Sequence, residues 1–428
     1  MATYDSYKDS GVKWLGQIPS HWEVKKCRAF FDEVIEQNLS RKSSNQLQFQ
    51  YGTIVPKANQ VLDSEVWKTI SKYTLVKPGD IVINGLNLNY DLISQRIGIV
   101  RENGVITSAY ISIRPKDLSS AKFYEYLLKA LDARKTFHGF GTGVRATLSW
   151  KELKHKLLPL VPFKEQSAIV SYLDKVTGEI DQAIEAQQKM IDALNERKQI
   201  IITRAVTRGL NPDAPLRNSG IGLLGQIPAH WEVCKLKWLI SSPLQYGANE
   251  SPDEFSNSQP RYIRITDIDS SGKLKDEIAV SLSWGKAKKY MLKKGDILFA
   301  RSGGTVGKTY LFNEDFPACF AGYLIKASCN KKILPQLLMY FTQSLVYDNW
   351  KNFIFNKATI QNIGADKYST LQIPVPPIDE QQAILTYFKD RLDPLEKAVS
   401  NCERMIALLT ERKQIIINEV VTGKKKVV

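Results

Sequence analysis

Cysteine, histidine and methionine are scarce in this chain: five, four and five residues among 428. The cysteines stand at 27, 234, 319, 329 and 402; they form no Cys-x-x-Cys pair and are odd in number. That argues against a disulfide framework and a zinc ribbon, and it fits a reducing cytoplasm. The histidines at 21, 138, 155 and 230 make no metal-ligand spacing. No run of about 18 apolar residues could span a bilayer, and the polar stretch Met1 to Ser10 has no apolar signal-peptide core. The Asn-Pro-Pro-aromatic and Asp-Pro-Pro-aromatic tetrads of amino-methyltransferases are missing. Pro212-Asp213 and Pro252-Asp253 do not continue into the Glu-x-Lys pattern of a nuclease. These absences predict a cytoplasmic protein that uses no membrane, holds no metal or cofactor on this chain and assigns no residue to catalysis.

Acidic residues are also in deficit. Lys plus Arg number 59 against 44 Asp plus Glu, a formal charge of +15 with a pI near 9.3. Such a surface favours a polyanionic partner, of which nucleic acid is the commonest. At 43% apolar residues the chain is ordinary globular protein, long enough for two or three domains.

What the sequence has is a repeat. Trp14-Leu-Gly-Gln-Ile-Pro-Ser-His-Trp-Glu-Val24 returns as Leu224-Gly-Gln-Ile-Pro-Ala-His-Trp-Glu-Val233, and Glu196-Arg-Lys-Gln-Ile-Ile-Ile202 returns 215 positions on as Glu411-Arg-Lys-Gln-Ile-Ile-Ile417. A Pro-containing stretch ending in Glu-Gln precedes each of the latter, Pro159 to Gln166 and Pro374 to Gln381. Between these shared segments the blocks differ, apart from anchors such as Pro78-Gly-Asp-Ile-Val82 against Lys294-Gly-Asp-Ile-Leu298 and Ala146-Thr-Leu148 against Ala358-Thr-Ile360. A period above 200 residues is duplication of a domain, not a solenoid. One scaffold with two interiors suggests one task performed on two targets, and shared ends suggest one partner surface presented twice.

Residues 165 to 207 lack proline and carry a heptad seam at Leu173, Thr177, Ile180, Ile184, Gln187, Ile191, Leu194, Lys198, Ile201 and Ala205. Its copy runs Phe388, Leu392, Leu395, Val399, Cys402, Ile406, Leu409, Lys413, Ile416 and Val420. The simplest partner of one helix is the other. A pseudo-twofold relation between the copies makes the pair antiparallel, a rod of about 60 Å for ~40 residues. Lys198 and Lys413 sit in the seam, either fixing register or snorkelling at its edge, and Gly178 and Pro394 are candidate kinks.

Each block alternates short apolar runs with turn signals. In the first, Gln48 to Val55, Asp80 to Ile83, Ile97 to Val100 and Ile106 to Ile113 read as strands, followed by a helix near Ala121 to Ala133. In the second, Arg261 to Thr266, Gly295 to Ala300 and Cys319 to Ala327 do the same, followed by a helix near Ile333 to Val346. The fold class expected is therefore α+β: two similar domains with small curved sheets, joined through the two long helices. Side chains suited to base edges or phosphates cluster in the intervening loops. The first block offers Asn84, Asn87, Asn89, Gln95, Arg96 and Arg145; the second offers Arg261, Arg301, Ser302, Thr305, Lys308, Lys357, Gln361 and Asn362.

Two motifs invite other readings. Ser302-Gly-Gly-Thr-Val-Gly-Lys308-Thr309 nearly matches a P-loop, but Ser302 replaces the first glycine and the duplicate block has Asn84-Gly-Leu-Asn-Leu-Asn there. A tight loop with amides facing phosphate is the better expectation. Phe137-His-Gly-Phe-Gly-Thr-Gly143 contains Gly-x-Gly-x-Gly without a surrounding βαβ unit and reads as a flexible loop. The paired His21-Trp22 and His230-Trp231 read as packing of the arm onto its domain.

The doubled Gly-Gln-Ile-Pro-x-His-Trp-Glu-Val arm, the Glu-Gln motif and the long Glu-Arg-Lys-Gln helix together resemble the specificity subunit of type I restriction-modification systems, over essentially the whole chain. The first Glu-Gln motif departs slightly, with Val161-Pro162-Phe163 where the second has Pro376-Pro377. The resemblance implies an arm and target recognition domain over 1–160, a helix over 161–209, a linker over 210–222, a second arm and recognition domain over 223–376, and a second helix with basic tail over 377–428. It implies a non-catalytic subunit that reads one half of an asymmetric bipartite site in double-stranded DNA with each domain. It further implies two methylation subunits docked on the helices, restriction subunits in the full complex, and S-adenosylmethionine, ATP and Mg²⁺ on those partners. Arg197, Lys198, Arg412 and Lys413, in the shared helix segment, are the expected partner contacts. A fragment or relative of a single-chain methyltransferase-nuclease and a coiled-coil adaptor without sequence-specific DNA binding remain the alternatives.

Overall fold

The computed structural model describes residues 2–50, 52–58, 63–90, 95–141, 146–269, 272–303, 306–355 and 362–427. The chain forms two compact units, Met1–Gln188 with Arg404–Val428, and Lys189–Glu403. The two long helices, Phe163–Arg208 and Ile378–Val421, each contribute residues to both units. No helix among the described residues is long and apolar enough to cross a membrane.

The first unit is built on a four-stranded antiparallel sheet in the order Phe31–Glu33, Ile111–Pro115, Ile81–Ile83, Ile97–Ile99. Alternation along the strands divides its faces. Ile81, Ile83, Ile97, Ile111 and Ile113 join the core beneath the helix Ala121–Ala133, which buries Phe123, Leu127, Leu128 and Leu131. Val82 turns the other way and packs with Leu47, Ile54, Val76 and Ile106 in a smaller core. The second unit repeats the arrangement with Gln245–Tyr246, Leu324–Ser328, Asp296–Ala300 and Thr309–Leu311. There Ile297, Phe299 and Ile325 face one core, and Leu298, Ala300 and Leu324 face another.

The expected α+β class and the Ala121–Ala133 helix hold, but several long apolar runs are divided. Gln48 to Val55 is a hairpin, Leu47–Gln50 against Thr53–Pro56. Ile106 to Ile113 spans the end of Gly104–Ile106 and the start of Ile111–Pro115, which pair with different neighbours. Cys319 to Ala327 likewise splits into Ala318–Phe320 and Leu324–Ser328. Arg261–Ile263 is a strand that passes into a helical turn at Ile265–Asp267, and Ile333 to Val346 divides into Pro335–Phe341 and Leu345–Phe355. The turns include exposed residues such as Ser108, Ala109 and Tyr323, yet apolar residues close on both sides leave short strands looking like one run, so hydropathy alone does not show where the backbone changes direction.

In the first unit the heptad seam buries Leu173, Thr177 and Ile180 of the first long helix with Ile416 and Val420 of the second. In the second unit Ala205 and Ile202 pack in one core with Phe388 and Leu392. Each seam lysine reaches across to an acid: Lys413 Nζ donates to Asp181 at 2.7 Å, and Lys198 Nζ to Glu396 at 2.5 Å. These are one ion pair repeated, because both partners recur at the 215-residue offset. The lysines are about one quarter exposed, so the stems lie along the seam while the ammonium groups emerge at its edge. In both units the late part of one helix meets the early part of the other, an antiparallel pairing.

The repeated arm closes each unit. Trp22 is buried and its Nε1 donates to Glu165 Oε2 at 2.9 Å, while His21 Nε2 lies 2.5 Å from Oε1 of the same carboxylate. Trp231, His230 and Glu380 repeat this at 2.8 and 2.5 Å. The following glutamines fix the helix starts, Gln166 Nε2 donating to Val161 O and Gln381 Nε2 to Pro376 O, each at 2.9 Å. The other long helix ends against the same tryptophan in a left-handed glycine. A Cβ on Gly423 (φ +73°) would lie 2.9 Å from Trp22, and one on Gly209 (φ +71°) 3.1 Å from Trp231. The His-Trp pair thus fastens the arm to both long helices, a more specific role than packing on its own domain. The basic tail is held there as well, Lys424 Nζ donating to Leu15 O and Gln17 O, and Lys426 pairing with Ala2.

Removing the carboxylate leaves a buried indole N–H without its acceptor, which costs about 1–3 kcal/mol. Glu165→Ala and Glu380→Ala are each expected to lower the urea midpoint accordingly, and Glu→Gln, which keeps an acceptor, to lower it less. Midpoints equal to wild type in both alanine variants would show that the clamp contributes nothing.

Candidate nucleic-acid interface

The shared Gly-Asp anchor is a turn that launches the central strand of each sheet. Asp80 is fully buried; it accepts from Lys77 N at 2.8 Å and from Arg114 Nε and Nη2, each at 2.7 Å. Asp296 accepts from Lys293 N at 2.8 Å and from Ser328 Oγ at 2.6 Å. At the far end of these strands, two loops are tied together in each unit. Leu148 N donates to Gly85 O at 2.9 Å, and Ile363 N to Arg301 O at 2.8 Å. Leu148 therefore corresponds to Ile363 at the same 215-residue offset as the helices. The match of Ala146-Thr-Leu148 to Ala358-Thr-Ile360 is displaced by three positions from this pairing, and 358–360 lie outside the described residues.

The sequence candidates fall into distinct groups. Arg96 is buried, its guanidinium donating to Asn84 O, Leu86 O and Asn87 O at 3.0, 2.6 and 3.3 Å, with Asp132 on its backbone N–H. It shapes the loop and offers no face to a ligand. Asn84 is half-buried and accepts from Leu86 N, again within the loop. Asn87, Asn89 and Gln95 are exposed on that loop and its return, with Asn87 in the left-handed region at φ +51°. Arg145 lies outside the described residues.

In the second unit Arg261 is 6% exposed and already paired, Nη1 to the exposed Asp276 at 2.7 Å and Nη2 to Lys275 O at 2.5 Å. Its place on a strand with 6% exposure removes it from the contact set, as burial does for Arg96. Arg301, Ser302 and Asn362 come together: Ser302 bridges to Asn362, and the Arg301 guanidinium lies 4.9 Å from the centre of the Tyr246 ring. Thr305, Lys357 and Gln361 lie outside the described residues. Lys308 is exposed and lines a groove of about 800 Å³ with Lys351, Lys198 and Glu396. The P-loop-like segment leads into the strand Thr309–Leu311 and not into a helix, and the Gly307 amide is spent on Ala300 O at 2.9 Å. A phosphate cradle of the P-loop kind needs a helix start and free amides, so the expectation of amides facing phosphate does not hold at Gly307. The Phe137-to-Gly143 segment begins as the helical turn Thr136–Gly139 after a helix, and 142–143 lie outside the described residues.

On the long helices Arg197 and Arg412 are exposed, whereas Lys198 and Lys413 are engaged across the seam. Exposed apolar side chains recur beside the arginines at the repeat offset, Met190 with Met405 and Ile200 with Ile415, each about half exposed.

The model of the type I restriction modification DNA specificity domain matches residues 19–190 and again 228–401. The chain belongs to the type I restriction-modification DNA specificity family. It is similar to the MjaVIII specificity subunit of Methanocaldococcus jannaschii, 24% identical over 437 residues covering 98% of this chain and 97% of the relative. It is also similar to the EcoBI specificity subunit of Escherichia coli, 25% identical over 279 residues, 62% of this chain and 58% of the relative. A solved chain from work on complex assembly and conformational transition of the type I R-M system shares the fold, with a TM-score of 0.68 at 15% identity over 94% of this chain and 98% of that one.

In this specificity-family chain, folding assembles two further surface features from residues far apart in the sequence. The first unit brings Lys26, Arg28, Lys154, His155 and Lys156 to one edge, where Cys27 N donates to Lys156 O and Arg28 N to Lys154 O. Desolvation, then the charges of Lys154, Arg28 and Lys26, hold the His155 imidazole below its ordinary value. The charge runs Lys25-Lys26 and Lys154-His155-Lys156 are visible in the sequence, but their meeting is a product of strand pairing. At the corresponding edge of the second unit Trp238 is 63% exposed beneath Lys237. The second feature is the aromatic pair Tyr246 and Tyr323, exposed beside Arg301. A lysine-rich edge neutralises phosphates without reading sequence. Lys154→Ala is expected to reduce the salt-dependence slope of duplex-DNA binding by about 1 without changing sequence preference, measured by titration across salt concentrations. An unchanged slope would remove this edge from the interface.

Proposed function

We propose that this chain is the DNA-specificity subunit of a type I restriction-modification complex, working in the cytoplasm. Each unit reads one half of an asymmetric bipartite site in double-stranded DNA, and the paired helices set the spacing of the halves and dock two methylation subunits. The observation that supports this best is the contrast within the repeat. Clamp, seam and ion pairs recur, whereas the paired loops carry Asn84, Asn87 and Asn89 in one unit and Arg301, Ser302 and Asn362 in the other. Identical readers would suit a palindrome, and unlike readers suit two different half-sites. Phosphate contacts supply affinity and the loops supply discrimination. The chain itself performs no chemistry in this reading. S-adenosylmethionine sits on the methylation subunits, which modify adenine, and ATP and Mg²⁺ serve the restriction subunits. Exposed Arg197 and Arg412, flanked by Met190, Ile200, Met405 and Ile415, form the docking strips.

The test is a map of methylated adenine in cells carrying this chain and its methylation subunit, before and after exchange of residues 30–155 for the equivalent block of a relative. A bipartite motif in which one half changes is the expected result. A motif untouched by the exchange would overturn the reading of two independent readers, and binding without sequence preference would favour a coiled-coil adaptor.

A further inference from the structure

The three arginines singled out in the described loops and strands have different fates. Arg96 spends its terminal nitrogens on loop carbonyls, and Arg261 on the Lys275 carbonyl and the exposed Asp276 carboxylate. Arg301 has no hydrogen bond or ion pair from its side chain among the described residues; its Nε, like those of Arg96 and Arg261, is shielded from solvent without a partner. Its guanidinium lies over the Tyr246 ring, 4.9 Å from the centroid. That ring is itself anchored, since Tyr246 lies in a strand paired with Ile325 and its hydroxyl accepts from Ala365 N at 2.9 Å. The backbone of Arg301 is pinned on both sides, its N–H donating to Tyr323 O at 3.0 Å and its carbonyl accepting from Ile363 N at 2.8 Å. A cation set over an anchored aromatic is restrained in position while lacking, among the described residues, the acceptors that would satisfy it.

We propose that Arg301 is a guanine-reading residue of the second unit, with Tyr246 as its positioning platform; the proposal rests on the DNA-reading function above. Guanine offers two adjacent acceptors, N7 and O6, on its major-groove edge, and a guanidinium meets both at once. A guanidinium grips a phosphate bidentately as well, so what favours a base edge is the company Arg301 keeps: the short neutral side chains of Ser302 and Asn362 lie beside it, and among the described residues no further cation is joined to it. Ser302 and Asn362, bridged to each other beside it, present further donors and acceptors to a neighbouring base pair. The first unit has Gly85 where the second has Arg301. A Cβ on Gly85 would lie 2.3 Å from Leu148 O, so that scaffold admits no side chain there. The position therefore discriminates between the two half-sites: it reads a base in one and is closed in the other.

The experiment is selection from a randomised duplex library by the full chain co-expressed with its methylation subunits, for wild type, Arg301→Lys, Arg301→Gln and Tyr246→Leu. The expected wild-type motif contains a guanine in the half assigned to the second unit. Both Arg301 variants make that one position degenerate and weaken binding to the wild-type site roughly ten- to hundredfold, with every other position retained. Tyr246→Leu blurs the same position to a smaller degree. Retained positions elsewhere also show that the variants fold. Uniform weakening with the motif intact, whether or not lysine restores binding, would make Arg301 a phosphate contact and overturn the inference while leaving the DNA-reading function standing. An unaltered motif in both Arg301 variants would overturn it as well. A wild-type complex that selects no motif would overturn the DNA-reading function first and this inference with it.

Discussion

One carboxylate at the start of each long helix is the constraint on which the architecture depends. Glu165 and Glu380 each accept the indole proton of a buried tryptophan and face a histidine of the same arm. The tryptophan in turn leaves room for the end of the other long helix only because that end is a glycine with positive φ. Three separate stretches of chain meet at each such point: an arm, a helix start and a helix end. A charged acceptor for a buried donor is among the stronger polar contacts a fold can make, and here it sits where local error would misdirect a helix of more than forty residues.

With the junctions fixed, the recognition blocks are free to differ. The Gly-Asp turn, buried through Asp80 and Asp296, launches a central strand in both units, and the tie between the paired loops is one backbone hydrogen bond, Leu148 to Gly85 or Ile363 to Arg301. The tie is made by backbone in both units, but it leaves room for a side chain at the tied position in only one: a Cβ on Gly85 would meet Leu148 O, whereas the Arg301 guanidinium lies over Tyr246.

The helices show a related economy. Seam positions at heptad spacing are buried or half-buried, and the lysines that interrupt them find Asp181 and Glu396 across the pair. Partly exposed ion pairs of this kind are worth about 0.2–1 kcal/mol, far less than the apolar seam, so they fix the alignment of the helices more than they hold them together. The adjacent arginines stay outside and available.

The sequence by itself determined the periodic and the duplicated features. Heptad spacing made the long helices legible and the duplication made their antiparallel pairing legible, because periodicity and repetition are properties of neighbouring or corresponding residues; the contact of each His-Trp pair with a glutamate of a long helix was not, because its partners lie more than 140 residues apart. Tertiary structure alone decided where apolar runs turn, as at Gln48 to Val55, and which charged residues face outward. The Arg96 guanidinium meets the loop carbonyls, that of Arg261 meets Asp276 and the Lys275 carbonyl, and that of Arg301 meets, among the described residues, a tyrosine ring on another strand. In the sequence all three are arginines beside apolar runs. Whether a guanidinium is consumed inside the fold or left for a ligand depends on acceptors brought near by folding, and no local pattern records them.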